Sequence, residues 1–469
     1  MNILKVLKTV NASLKKEDEL ILSYIHGIKL SSFDHIKQSK TKYSGLFLQI
    51  CRYLYSLFKM VRFSKRSFDP KKEVLIFAGT KNQHSSLIPT MDALNELNVD
   101  YNLIASKEVG GSSENYLLNV LEFLLSFYIF IRYSYKLYFK LKKAGKNFEI
   151  KYFFSAYCKS YTNLVFFIST LLKLSSEDKL RLVILSNDHN NPNRCLRLAC
   201  EILNIKTLYI QHASVSTLFP PLQYDYALLD GKVAYDAYKN CLSNLPNTPT
   251  YPVSVFLSGQ KKSVSNQGDK AWKIFDIGVA VNTLDEFEFL EELVKKANKY
   301  GLSVLVRTHP GQSKAFLYKL ALITVTNNIE WCDPHEDSLS YFFNSIDCLI
   351  AANSSIHLEA ALADTATLYY EFNKNIALPD YYAYVKNGLA YALNIENMLE
   401  SINKGKQRCN SIYYKEAVKK YSATYMTKWE HKEGELAAKL IKKIITEKSF
   451  DNIFIQSTVS DIYALYDIK

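Results

Sequence analysis

Glycine and proline are scarce in this chain, 15 and 11 among 469 residues, so there is little room for low-complexity linkers, and disorder is not expected away from the ends. The eight cysteines, at 51, 158, 195, 200, 241, 332, 348 and 409, include no C-x-x-C pair and no histidine spacing that would assemble a zinc site. They read as reduced, structural thiols of a cytoplasmic protein. The opening MNILKVLKTVNASLKKEDEL has lysines interrupting every apolar run and no small-residue cleavage site, so a signal peptide is not expected. No repeat of solenoid period is visible. Negative charge is in the minority, 46 Asp and Glu against 58 Lys and Arg, and the net +12 suits nucleic acid, a membrane surface or an anionic substrate. No nucleic-acid module signature accompanies that charge, so nucleic acid is not an expected partner.

What is present is the composition of a folded globular protein, 48% hydrophobic, with a length that suggests two or three domains; two is the working number. The lysines are interleaved with aromatics in YIFIRYSYKLYFKLKKAGK, Tyr128 to Lys146, directly after YLLNVLEFLL. Glu122 and Arg132 break this region into apolar runs shorter than the ~20 residues a spanning helix needs. It reads either as an interfacial helix on the inner membrane surface or as a buried domain helix with a solvated basic end.

Short apolar runs alternate with helical periods along the rest of the chain. EVLIFAGT is a strand, SSLIPTMDALNELN a helix with Ile88, Met91, Leu94 and Leu97 on one face, and VDYNLIAS a strand, which makes a β-α-β unit. LRLVILSND, IKTLYIQHAS and YDYALLDG are further strands, the first two separated by the helix NRCLRLACEILN. From about 240 to 268 the texture turns to proline, serine and asparagine without a period, the best candidate linker. Beyond it the alternation resumes with FDIGVAVN, LDEFEFLEELVKKANKYG, LSVLVRTHPG, NIEWCDP, EDSLSYFFNSI, DCLIAANSS, IHLEAALAD and TATLYYEFN. The expected fold is α/β, two Rossmann-like doubly wound domains facing across a cleft. Residues 1–245 form the first domain, with an aromatic and basic helical insertion at about 115–175; 246–268 are the linker and 269–469 the second domain with C-terminal helices.

Candidate site residues stand at the predicted strand ends, where open α/β sheets bind ligands. In LVRTHPGQ, Arg307 and His309 alternate with Thr308 and share a face, while Pro310 stiffens the turn. The pair suits a phosphate, and a capped strand end would look the same. Ser354 and Ser355 in AANSSIHLEAAL precede a helix whose first N–H groups lack internal partners, which serves plain capping and anion binding alike. Asn282 and Thr283 lie in the first loop of the second domain. In the first domain, Asp188 and His189 in SNDHNNPNR and Gln211 and His212 in IQHAS are candidates for a general base with an orienting partner, or for a buried polar network that fixes loops.

RTHPG followed by SLSYFFNSIDCLIAANSSIHLEAAL resembles the paired HP and Ser-Ser motifs of bacterial surface-polysaccharide glycosyltransferases of GT-B fold: sialyl- and polysialyltransferases, capsular Kdo transferases and CDP-glycerol polymerases. TLYIQHASVSTLFPPLQYDYALLDG is similar to the QHG…FD…G segment of their acceptor-side domains, and the resemblance spans about 180 to 373. It implies a GT-B-like fold, with His309, Ser354 and Ser355 gripping the phosphate and ribose of a cytidine nucleotide donor and His212 matching an acceptor-side histidine. Two departures stand out. The acidic motif of the sialyltransferases is reduced to Asp230 and Gly231 in LLDG, and Ala213 follows His212 where glycine is usual. The base stays open between Asp188 and His212.

The expected activity is inverting, metal-independent transfer of a sugar from a CMP-activated donor such as sialic acid or Kdo to a surface glycan, possibly lipid-linked. Catalysis falls to Asp188, His212 and His309, nucleotide binding to Arg307, His309, Pro310, Asn282, Thr283, Ser354 and Ser355, and the acceptor side to His189 and Gln211. No Asp-x-Asp motif stands at a strand end, so no metal and no cofactor is expected, and protein groups must meet the charge of the leaving phosphate. The rivals are a CDP-glycerol-type phosphotransferase, a UDP-sugar 2-epimerase and a non-catalytic capsule assembly protein.

Overall fold

A computed structural model describes residues 2–15, 45–61, 68–106, 114–145, 147–215, 217, 219–241, 253–260, 275–326, 328–373, 379–457 and 462–465. The first half contains α1 (Ile3–Leu14), α2 (Leu46–Lys59), β1 (Val74–Ala78), α3 (Lys81–Glu96), β2 (Tyr101–Ala105), β3 (Glu114–Asn115), α4 (Val120–Lys143), α5 (Asn147–Leu174), β4 (Leu182–Leu185), α6 (Asn191–Leu203), β5 (Lys206–Ile210), β6 (Tyr226–Leu229), α7 (Lys232–Lys239) and β7 (Ser254–Leu257). The second contains β8 (Ile277–Val281), α8 (Phe287–Lys299), β9 (Val304–Thr308), α9 (Lys314–Thr326), β10 (Ile329–Cys332), α10 (Leu339–Asn344), β11 (Cys348–Ala351), α11 (Ile356–Leu362), β12 (Ala366–Tyr369), β13 (Tyr391–Ala392), α12 (Met398–Cys409) and α13 (Ile412–Tyr421). The chain then runs through α14 (Glu433–Ile445), β14 (Ile455–Gln456) and β15 (Ile462–Ala464).

Both halves are doubly wound parallel α/β domains. The second sheet runs β10-β9-β8-β11-β12-β13, every pair parallel; the first runs β14-β15-β7-β6-β5-β4-β1-β2-β3, parallel except for β14 against β15. Counted from its own first strand, each core order is 3-2-1-4-5-6, so each sheet reverses direction once: between β1 and β4 in the first, between β8 and β11 in the second.

The central strands are continuous apolar runs because helices cover both faces. β1, VLIFA, is buried at all five positions, with α5 and α6 against Leu75 and Phe77 and with α3 and α14 against Val74, Ile76 and Ala78. Removing one such phenylalanine from water contributes about 1.5–3 kcal/mol. The insertion is a helical pair: a reciprocal capping box starts α4, with Asn119 Oδ1 accepting from Glu122 N–H and Glu122 Oε2 accepting from Asn119 N–H, both at 2.9 Å.

Two features depart from the expected domain boundaries. Residues 254–257, inside the stretch read as linker, form β7 and pair with β6 and β15; the rest of the 246–268 stretch, apart from 253 and 258–260, lies outside the described residues. Residues 433–457 and 462–464, assigned to the second domain, return to the first: α14 packs on α3 so closely that a Cβ on Gly434 would overlap the Pro89 carbonyl, and β15 extends the first sheet. The crossing is tied at Ala423 N–H, which donates to Asp230 O at 2.8 Å, and at Gln260 N–H, which donates to Ser422 Oγ at 3.2 Å.

Candidate active site

The carboxyl ends of both sheets meet the loop that follows β12. Asn353, just beyond β11, accepts from Tyr381 N–H at 2.9 Å, and three residues later Tyr384 OH pairs with Ser214 Oγ, beyond β5, at 2.5 Å. Asp380 and Ala383 in this loop have φ of +47° and +58°, a region that costs an alanine roughly 1 kcal/mol or more. Such strain persists only when neighbours over-determine it. Here Asp380 Oδ2 accepts from Val385 and Lys386 N–H, and Tyr421 OH donates to the carbonyls of Tyr382 and Ala383. A small cavity at this junction is lined by Gln211, Ser214 and Asp230 from the first domain and Leu358, Tyr382 and Tyr421 from the second.

Asp188 and His189 sit at the first domain's switch point. The order of burial is the reverse of what a base at Asp188 requires: Asp188 is 1% exposed and both its oxygens are engaged, Oδ2 accepting from Tyr238 OH at 2.6 Å and Oδ1 pairing with His189 Nδ1 at 2.7 Å. His189 keeps 23% of its side chain exposed, with its ring against Phe219. Asp188 is therefore the orienting partner, and the imidazole is the member of the pair that reaches solvent. The turn is made locally: Asn187 Oδ1 accepts from His189 and Asn190 N–H, and Asn190 then caps α6.

Gln211, read as an acceptor contact, is buried and braces the turn after β5, donating to Ala213 O at 3.0 Å and accepting from Asp230 N–H at 2.9 Å. His212 follows it, half-buried.

In the second domain the switch point lies between Asn282 and Asn353. The His309 turn joins it, because Gln312 Nε2 donates to Asn282 O at 2.9 Å and Gly311 lies where a Cβ would be 3.3 Å from His309 Nδ1 and 3.8 Å from Thr283 Cγ2. His309 is exposed, and its Nδ1 accepts from Gly311 N–H at 2.9 Å. An accepting Nδ1 leaves the neutral ring's proton on Nε2. Pro310 contributes its carbonyl to His335 Nε2 at 3.2 Å.

Arg307 does not join His309 as a paired anion grip. Its guanidinium donates to Asp337 O from both terminal nitrogens at 3.2 Å and to Cys332 Sγ at 2.9 Å, over the Phe342 ring, so it clamps the loop after β10. Of the two serines, Ser354 Oγ accepts from Ile356 N–H at 3.4 Å, whereas Ser355 at the N-cap makes no side-chain capping bond.

Two further acids, outside the sequence motifs, stand near strand ends of the second domain. Burial pushes the Asp285 carboxyl up to about 7, against the Asn282 N–H that it accepts at 2.7 Å; a nearby Glu371 adds to the rise. Glu371, just past β12, is also raised by burial; its Oε2 accepts from Tyr369 OH at 2.5 Å and its buried Oε1 has no hydrogen-bond partner. Asn353 Nδ2 and Asp380 Oδ1 are likewise buried without partners. The signal was available in YYEFN, an acid two residues beyond a parallel strand.

No family model matches the chain, and no curated protein matches it. Solved structures of similar fold include the UDP-GlcNAc 2-epimerase of Methanocaldococcus jannaschii, 14% identical over 79% of this chain and 99% of that one with a TM-score of 0.46. The S. aureus MnaA–UDP structure is 14% identical over 81% and 99%, TM-score 0.48, and the wall teichoic acid polymerase TagF is 12% identical over 86% and 98%, TM-score 0.43. At these identities and scores the likeness assigns no activity to this chain. The fold and site by themselves define a two-domain α/β protein in which the loop after β12 bonds to Asn353 beyond β11 and to Ser214 beyond β5.

Proposed function

We propose that the protein is an inverting glycosyltransferase that takes a sugar from a nucleotide-activated donor, a CMP-sugar, and passes it to a glycan hydroxyl. The observation that carries this reading is the His309 turn, whose exposed imidazole is fixed by Gly311 N–H and tied through Gln312 to Asn282 at the switch point of the second sheet, where nucleotides bind in this topology. The donor's phosphate rests at His309 with Asn282, Thr283, Ser354 and Ser355 around it, and the hydroxyls of the nucleoside meet the unpartnered Glu371 Oε1 and Asn353 Nδ2. His189, held by Asp188, takes the proton of the acceptor hydroxyl as its oxygen bonds to the anomeric carbon. The bond from that carbon to the phosphate oxygen breaks with its electron pair, and the hydrogen bond from His309 offsets the charge that develops there.

The test is a melting-temperature screen with CMP, CDP, UDP and GDP. A ligand at a hundredfold excess over its Kd stabilises by about 2.7 kcal/mol. A cytidine nucleotide should raise the melting temperature, and His309→Ala, an exposed position, should remove that rise while leaving the unliganded protein as stable as before. No rise with any of the four would defeat the reading. Product from a UDP-sugar without acceptor would instead make the protein a 2-epimerase, and transfer of glycerol phosphate from CDP-glycerol a phosphotransferase.

A further inference from the structure

One face of α4 is built into the core, through Leu125, Ile129, Phe130, Leu137 and Leu141, and the opposite face is apolar as well. Leu124, Tyr128, Ile131, Tyr135 and Phe139, spaced four, three, four and four apart, are 46–61% exposed and form one stripe along a 24-residue helix, about 36 Å. Beside it lies α2, joined by Phe58 against Phe123 at 5.1 Å and Tyr53 against Phe130 at 4.6 Å between ring centroids. Its outer side continues the stripe with Phe47, 80% exposed, Tyr55 and Phe58.

The charge on these helices has one sign. Arg52 and Lys59 on α2 and Arg132, Lys136 and Lys140 on α4 are exposed; α2 carries no acid, and the only acid of α4, Glu122, is buried in its capping box. The cations flank the aromatics, with Lys59 Nζ 4.6 Å from the Tyr55 ring and Arg132 donating to Tyr128 OH at 2.7 Å.

We propose that the face formed by α2 and α4 docks on an anionic lipid bilayer surface. Large apolar side chains on a helix side, rimmed by lysine and arginine without carboxylates, match the boundary between acyl chains and acidic headgroups. The helices lie on that surface: no helix among the described residues is long and apolar enough to cross a membrane. A second copy of the chain is a poor occupant, because a two-fold contact would set the same cationic rows against each other. This inference does not depend on the reaction proposed above.

The test is flotation of the full chain with vesicles of phosphatidylcholine alone and of phosphatidylcholine mixed with phosphatidylglycerol, at low and high salt. Binding should require phosphatidylglycerol and fall with salt. The double variants Ile131→Glu with Phe139→Glu, and Lys136→Glu with Lys140→Glu, should each lower the bound-to-free ratio by roughly tenfold or more, with unchanged melting temperature. Val325→Glu, on the exposed side of α9 in the second domain, should bind like the unmodified chain. Absence of binding to the anionic vesicles, or equal binding by both double variants, would overturn the proposal. So would a dimeric mass by light scattering that Ile131→Glu with Phe139→Glu converts to monomer, since a second copy would then be the occupant.

Discussion

Asp285→Asn should stabilise the second domain near neutral pH and leave it unchanged in mild acid. The folded protein holds the Asp285 carboxyl at about 7, against 3.8 for an ordinary aspartate, chiefly because burial disfavours the charged form. A raised carboxyl means that between about pH 4 and pH 7 the folded state binds a proton that the unfolded state has released, so stability falls as pH rises through that window. At about 1.4 kcal/mol for each tenfold change in acidity the limit is about 4 kcal/mol. The side chain keeps some contact with solvent, which screens the penalty, so roughly half of that limit, about 2 kcal/mol, is the expected loss by about pH 7.5. Asparagine preserves the acceptor oxygen and therefore the turn, and it carries no charge to desolvate. For a domain of this size about 2 kcal/mol corresponds to roughly 4–8 °C. Scanning calorimetry from about pH 4.5 to 7.5, following the transition of the second domain, should show the unmodified protein losing stability as pH rises and the variant nearly flat. Parallel profiles for the two proteins would refute the reasoning, because no proton would then be linked to folding at Asp285.

Asp188→Asn should leave either Tyr238 OH or His189 Nδ1 without its acceptor, lowering stability by about 1–3 kcal/mol and turnover by about a hundredfold or more, with KM little changed. A loss of stability with turnover intact, measured on the same preparation, would reduce the pair to a structural network. Gly259→Ala should cost about 2–4 kcal/mol in chemical denaturation, since φ is +72° and the new methyl would overlap Thr424 on the crossing segment. Gly145→Ala, with φ of +70° and open space around it, should cost only about 1–2 kcal/mol; equal costs at the two sites would show that the crossing gives way freely.

The alternation of parallel strands and helices was legible because each strand is a saturated apolar run closed by polar residues: VLIFA, LVIL, IGVAV and CLIA are buried at every position. β7 was not legible. Its four residues follow a proline-rich stretch and precede a polar one, and what makes them a strand is the pairing of Val255 with Ala227 and Ile462, the second more than 200 positions away in the chain. The return of α14 to the first domain is hidden for the same reason, since its amphipathic pattern announces a buried face without naming the surface that buries it.

Within the candidate site, strand-end position singled out the turns, and distant partners decide which neighbours within them face outward. Whether Asp188 or His189 faces outward is decided by Tyr238, fifty positions on, whose hydroxyl holds the carboxylate inside. Arg307 and His309 share an alternation, yet the Asp337 carbonyl draws the guanidinium away while Gly311 fixes the imidazole in place. Topology then separates the two first-domain histidines. His189 stands at the β1/β4 reversal, whereas His212 follows β5, one strand outward, in a turn that Gln211 braces. A ligand in the crevice at the reversal meets His189 first. If transfer depends on a base there, His189→Ala must reduce turnover far more than His212→Ala, and the opposite ranking would move the reacting hydroxyl to the β5 side and leave the Asp188–His189 pair to hold the turn.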